Sequence, residues 1–296
     1  MQTDPHAFYQ SILQKELGGS VQLQEFSSIS GGCINDVFKM DTNQGMYFLK
    51  VNQQMPIHFF EAEKEGLELL DQISRFTIPN VIGLGTFQTT QYLLLEYIDS
   101  RRTSVNYWEE LGVRLAELHK NSNDSFGGVN DNYIGKLPQS NQNKSNWLDF
   151  FIEERLLPQV NLGVKSGVIP QKYIESTNAL RSLLKDYFPE EKPALLHGDL
   201  WSGNTMYDSQ GQPCIVDPAV YYGHREAELA FTTLFGGFDK LFFEVYNEVF
   251  PWEKGIEERL EVYNIYPLLV HTNLFGGGYL EQVNAIYKRI DKALGY

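Results

Sequence analysis

The chain has 296 residues, 42% hydrophobic and 21% charged, which is enough apolar material for one large or two smaller cores and too little charge for a disordered polyelectrolyte. Its 38 acidic residues outnumber 24 basic ones, giving a net charge of −14 and excluding a protein that holds nucleic acid by bulk attraction to phosphate. Two cysteines, Cys33 and Cys214, exclude a disulfide framework and favour a reducing compartment.

Met1 to Phe8 carries Asp4 and Pro5 and no basic stretch leading into an apolar run, and no run of eighteen apolar residues occurs anywhere. Neither a secretory signal nor a membrane span is expected, and the expected location is the cytoplasm. Phe8, Ile12 and Leu13 have helical spacing in a segment ending at Gly18-Gly19. Val21 to Ile29, Val37 to Met40 and Met46 to Val51 read as short antiparallel strands broken by Gly31-Gly32 and Asn43-Gln44-Gly45. Phe59 to Leu70 is an amphipathic helix, and strands follow at Val81 to Thr86 and Tyr92 to Tyr97. Trp108 to His119 is helical again. The segment 121–146, with seven Asn, three Gly and little apolar content, reads as a long loop. Helical patterns dominate beyond Trp147: Phe150 to Leu157, Tyr173 to Tyr187, Glu226 to Phe235, Phe242 to Val249, Ile256 to Leu269 and Tyr279 to Leu294. Short apolar runs with turns interrupt them at 194–217. The expected organisation is a β-rich lobe at 1–98 and a mainly helical lobe at 99–296.

The segment His197-Gly198-Asp199-Leu200-Trp201-Ser202-Gly203-Asn204 is the most informative. Asp199 is followed five residues later by Asn204 and then, thirteen residues on, by Asp217 after the apolar run Cys214-Ile215-Val216. Phosphotransferases of the kinase type use this order: one Asp orients the acceptor hydroxyl, while the Asn and the second Asp hold Mg2+ on the nucleotide phosphates. A polar turn between two strands is the competing reading. A kinase also needs a strand Lys for the phosphates and a Glu on the next helix to hold it. Lys50 and Glu63 fill those places, with Glu61 and Glu65 as rivals turned away by roughly 200°. Gly31, Gly32 and Cys33, upstream of Lys50, are candidates for the phosphate-covering loop, and Cys33 is the candidate redox-sensitive position. Glu96, Tyr97 and Ile98, closing the β-rich half, fit the hinge whose backbone meets adenine.

In this order the motifs resemble the fructosamine/ketosamine kinase family, relatives of aminoglycoside and choline kinases. Phe126-Gly127, Gly135-Lys136-Leu137-Pro138-Gln139 with Asn141, Trp147, Arg155-Leu156, Tyr222-Gly223-His224 and Glu228-Leu229-Ala230 agree with it, from about Ser28 to Tyr279. Gly198, where protein kinases usually carry Arg, disfavours a protein kinase. The resemblance implies an α+β, bilobal protein-kinase-like fold and ATP-dependent phosphorylation of the C3 hydroxyl of a ketoamine. Asp199 would be the base, Asn204 and Asp217 the Mg2+ ligands, Lys50 with Glu63 the phosphate anchor, and Trp201 and His224 substrate contacts. Ketoamine small molecules or glycated proteins are the implied partners, without nucleic acid or membrane, in a monomer or homodimer. Rival readings are a kinase of the same fold acting on an aminoglycoside, choline or a homoserine-like alcohol, and a non-catalytic nucleotide-binding scaffold. His6, His58 and His119 have no metal spacing and are expected in surface or capping roles. His197 is expected to brace the loop. Glu226 is expected in the pocket or at a helix cap, and His271 with Gly276-Gly277-Gly278 at the substrate side or a helix break.

Overall fold

The computed structural model describes residues 4–29, 34–100 and 105–293. In chain order its first elements are α1 (Pro5–Leu17), β1 (Leu23–Ser28), β2 (Asp36–Thr42), β3 (Gly45–Asn52), α2 (His58–Ile73), β4 (Val81–Phe87) and β5 (Thr90–Glu96). There follow α3 (Tyr107–His119), β6 (Asn132–Ile134), β7 (Leu137–Gln139), α4 (Trp147–Phe150), a π-helical turn (Phe151–Leu156), α5 (Leu157–Ser166) and α6 (Lys172–Leu183). The chain ends with β8 (Ala194–Leu196), β9 (Thr205–Tyr207), β10 (Pro213–Ile215), β11 (Tyr221–Gly223), α7 (Arg225–Leu234), α8 (Lys240–Val249), α9 (Ile256–Tyr263), α10 (Ile265–Phe275) and α11 (Tyr279–Ala293). Packing divides it into a first unit of Met1–Gln72, Phe76–Val105 and Met206–Asp217 and a second of Ile73–Arg75, Asn106–Thr205 and Pro218–Tyr296. The division is not a single cut, because Met206–Asp217 packs with the first unit.

In the first unit the Asp4 carboxylate accepts from the His6 N–H and starts α1, with Pro5 in its first turn. Tyr9, Ile12 and Leu13 bury the helix on an antiparallel sheet of order β1-β2-β3-β5-β4. That face collects Met40, Leu49, Val51, Tyr92 and Leu94. Side chains alternate along a strand, so Lys50, between Leu49 and Val51, points to the other face. Helix α2 buries Phe59, Phe60, Leu67 and Leu70. Strand β10 is tied into this unit by Thr77, whose N–H donates to the Pro213 carbonyl at 3.0 Å. Cys214 beside it is buried, and burial pushes its thiol up to about 12, which leaves it unreactive.

The second unit closes on a core where Trp147 lies near Phe126, Phe150, Phe151 and Tyr263. Arg155, on the π-helical turn, is fully buried, with its guanidinium 4.0 Å from the Tyr221 ring centroid and 4.5 Å from that of Phe150. It donates to the Ser140 carbonyl and Asn141 Oδ1. Two expectations are corrected here. The segment 121–146 is not a structureless loop: it holds the β6–β7 hairpin, Gly127 exchanges backbone hydrogen bonds with Tyr222, and Asn132 donates to the Val220 carbonyl at 2.7 Å. The pattern expected as one helix over Ile256 to Leu269 is two, α9 and α10, meeting at Asn264. Among the described residues no helix is long and apolar enough to cross a membrane.

Candidate active site

Two polar clusters stand out, one in each unit. In the first unit the Lys50 ammonium, on the sheet face away from α1, is 2.6 Å from Glu63 Oε1 and 2.5 Å from Asp217 Oδ1. Lys50 is 2% exposed, whereas the Asp217 side chain is 49% exposed. Burial works against charge on Lys50, but the two carboxylates outweigh it and hold its value above that of an ordinary amine. Burial pushes the Glu63 carboxyl up against the pull of Lys50. Of the three candidate carboxylates Glu61, Glu63 and Glu65, Glu63 is the one that pairs with Lys50. Asp217 lies at φ 57°, the left-handed region that a residue with a side chain seldom occupies. At the end of β5 the Glu96 carboxylate accepts from Asn80 Nδ2 at 2.7 Å, and Lys39 sits over the Tyr97 ring, with Ile98 next in the chain. Gly31, Gly32 and Cys33 lie outside the described residues.

In the second unit the buried strand Ala194–Leu196 delivers His197, Gly198 and Asp199 to the loop that follows. Gly198 has φ 84°, and a Cβ there would run into the Ala219 carbonyl oxygen, so only glycine lets the loop lie against that backbone. The fully buried His197 braces the loop as expected: its Nδ1 accepts from the Asp199 N–H at 3.3 Å. Asn204 closes the 3-10 turn Ser202–Asn204 and donates its amide to the Asp199 carbonyl at 2.8 Å and to Asp199 Oδ2 at 3.1 Å. Its amide nitrogen is committed to Asp199, which aims its side-chain oxygen elsewhere. The Trp201 N–H donates to the Asp199 carbonyl at 3.2 Å. The indole is 38% exposed and covers Gly203 where a Cβ would stand.

The carboxylate that holds this loop belongs to the Glu228-Leu229-Ala230 segment, to which motif order assigns no role. Glu228, on α7, accepts from the His197 N–H at 3.1 Å, the Gly198 N–H at 2.6 Å and His119 Nε2 at 2.9 Å. Burial works against its charge, yet these donors keep its carboxyl below the usual range. His119 is 2% exposed, with Nδ1 2.8 Å from the Tyr246 hydroxyl, which corrects the expected surface or capping role. The readable signal is a carboxylate next in the chain to the apolar run Leu229-Ala230-Phe231. His224, expected as a substrate contact, is fully buried, stacked on Tyr263, with Nε2 3.3 Å from the Pro189 carbonyl. Surrounded by core rings, it supports the start of α7 and presents no surface to a ligand. Glu226 is likewise fully buried and makes a two-pronged pair with Arg259 at 2.7 and 2.6 Å, so it neither lines a pocket nor serves as a simple cap.

A family model described as fructosamine kinase matches residues 6–293. A probable ketoamine kinase of Synechocystis is 38% identical over 294 residues, covering 98% of this chain and 99% of that one. A chloroplastic protein-ribulosamine 3-kinase of Arabidopsis thaliana is 38% identical, covering 93% and 86%. Among solved structures, a candidate fructosamine-3-kinase from Haemophilus somnus superposes with TM-score 0.87 at 26% identity, covering 96% and 97%. The aminoglycoside phosphotransferase APH(4)-Ia, in a ternary complex with AMP-PNP and hygromycin B, matches with TM-score 0.60 at 16% identity over 96% and 97%. That last likeness bears on fold alone, and it identifies the architecture as an α+β kinase-like one.

Proposed function

Because the chain belongs to the fructosamine kinase family, we propose that it transfers the γ-phosphoryl group of ATP to the C3 hydroxyl of ketoamines, the adducts formed when sugars such as ribose and glucose glycate amines. The observation that carries this reading is the buried Lys50 ammonium between Glu63 and the half-exposed Asp217. A kinase anchors phosphate with such a lysine. Residues 1–98 are assigned to the nucleotide, with Gly31, Gly32 and Cys33 covering its phosphates and the backbone of Glu96, Tyr97 and Ile98 meeting the base. Residues 99–296 are assigned to catalysis and substrate.

Asp199 is proposed as the base. Its carboxylate, steadied by the Asn204 amide, orients the C3 hydroxyl and accepts its proton as the phosphoryl group arrives. Trp201 offers an exposed indole face to the sugar. Asn204 and Asp217 are proposed as Mg2+ ligands. Among the described residues there is no group of three His, Cys, Asp or Glu of the sort that holds a metal by protein alone. One carboxylate and one amide oxygen, completed by phosphate oxygens and water, fit a hard cation that arrives with its nucleotide. When bound, Mg2+ neutralises charge on the β- and γ-phosphates. The cytoplasm is the proposed location, and free or protein-bound ketoamines the proposed substrates.

The product offers the test. A phosphate on C3 lies β to C1, whose proton is lost when the C2 carbonyl enolises, so the phosphate leaves and hydrolysis then frees the amine: the reaction deglycates. Incubation with Mg-ATP and a ribulosamine, followed by phosphorus NMR, is expected to show a sugar phosphate that gives way to inorganic phosphate. A stable phosphoester, or turnover of choline or an aminoglycoside in place of every ketoamine, would reject the assignment.

A further inference from the structure

Six large apolar side chains are exposed among the described residues, and the three aromatic ones, Trp201 at 38%, Phe235 at 39% and Phe275 at 53%, belong to one row within the second unit. The Trp201 and Phe235 ring centroids are 6.5 Å apart at 77°, an edge-to-face contact. Phe235 lies 4.6 Å from His271, which is 5.5 Å from Phe275 and 5.2 Å from Tyr279. Phe231, one turn back on α7 and nearly buried, supports Phe235 from behind at 6.0 Å. Isolated exposed apolar residues need no explanation, but a contiguous row of aromatic faces at a functional loop does.

The row is built rather than incidental. Trp201 rests on Gly203, and a side chain at Gly237 would strike Ser202, so the turn after Phe235 packs against the Asp199 loop. Gly236 and Gly237 at φ 71° and 94°, and Gly276 and Gly277 at φ 65° and 71°, turn the chain immediately after Phe235 and Phe275. His271 donates Nδ1–H to the Pro267 carbonyl at 2.8 Å, since a carbonyl can only accept. Burial lowers its basicity, which favours the neutral imidazole in this row.

We propose that this row, Phe235–His271–Phe275, is a subsite for the substituent on the amine of the ketoamine, and that it selects aromatic and long apolar amines. The inference rests on the kinase reading above, which places the sugar at Asp199 and Trp201. In a ketoamine the nitrogen is three bonds from C3, so its substituent must leave the reacting centre within a few ångströms of that carbon. The backbone N–H of Trp201 donates to the Asp199 carbonyl at 3.2 Å, and from the Trp201 ring the row continues through Phe235 and His271 to Phe275. Ring-on-ring contacts of this kind contribute about 0.5–1.5 kcal/mol each, or roughly 2- to 12-fold in affinity.

The test compares ribulosamines of benzylamine and of glycine. The parent enzyme is expected to favour the benzylamine conjugate in kcat/KM, mainly through KM. In Phe235→Ala, and separately in the more exposed Phe275→Ala, the ratio of the two kcat/KM values should fall about 3- to 10-fold, and in the double variant further. Glycine-conjugate turnover reports in each case that the variant is folded. A parent indifferent to the amine, or variants that slow both conjugates equally, would overturn the subsite while leaving the kinase standing. Failure of the parent to phosphorylate any ketoamine would instead overturn the underlying reading, and the subsite with it.

Discussion

At the scale of single residues, substitution separates the roles proposed for the two clusters, with Lys50 and Glu63 acting as one unit. Asp199→Asn is expected to lower kcat by about 10²- to 10⁴-fold, the usual contribution of a positioned base, with ATP binding little changed because Asp199 is assigned to the acceptor. Equilibrium nucleotide titration beside steady-state kinetics checks both halves. Lys50→Met should depress activity strongly and Glu63→Gln less, since Glu63 acts through Lys50, and the double variant should be no worse than Lys50→Met alone. Gly198→Ala is the test of backbone rather than charge. At φ 84° with the Ala219 carbonyl in the way, even one methyl costs about 1–3 kcal/mol and displaces Asp199, so stability and kcat should fall together. Glu63 could be proposed from chain order, because it lies on the helix that follows the Lys50 strand; helical period set Glu61 and Glu65 apart from it without choosing among the three. Glu228 could not be assigned its role in the same way, since its partner His119 is 109 residues away.

At the scale of elements, α7 acts as the anchor of the Asp199 loop. Both Glu228 oxygens accept from N–H groups, so Glu228→Gln would turn an amide N–H toward a donor and leave a buried group unsatisfied, at about 1–3 kcal/mol. It is expected to lower kcat without touching any proposed substrate contact, and to change the response to acid. The carboxyl of Glu228 is held below its unfolded value, near 4.5. Its stabilisation is complete above that pH and is lost as pH falls through the lowered native value, because there the unfolded chain binds the proton and the native state does not. His224 acts in the same sense from higher pH: burial pushes its imidazole below 6.5, so stability begins to decline as pH drops past the unfolded value. Urea unfolding from pH 8 to about 3 should show both segments, the lower one lying below the unfolded carboxylate value. Glu228→Gln should flatten the lower one and His224→Gln the upper one.

At the scale of the whole molecule, a nucleotide that binds only the native chain raises stability by about 2.7 kcal/mol at a hundred times its Kd. Mg-ATP should therefore shift the melting temperature upward by several degrees, and Asp217→Ala should lose most of the Mg2+-dependent part of that shift. The sequence by itself determined a β-rich beginning, a mainly helical remainder, and the chain order of the candidate residues Lys50, Glu63, Asp199, Asn204 and Asp217. Those features are written in short-range periodicity and spacing, which the backbone geometry of strands and helices converts directly into facing side chains. Tertiary structure alone decided the rest. The asparagine-rich segment 121–146 reads as a loop because its polar residues follow neither the helical nor the strand period; its polar groups pair partly within the segment, as when Asn141 Nδ2 donates to the Asn130 carbonyl at 2.8 Å, and partly on Tyr222, Val220 and Ala219, as when Gln139 donates to the Ala219 carbonyl at 3.1 Å. For the same reason His119, His224 and Glu226 could not be placed correctly. Buried polar groups are paired as a rule, and which distant group pairs with each is set by packing rather than by its neighbours in the chain.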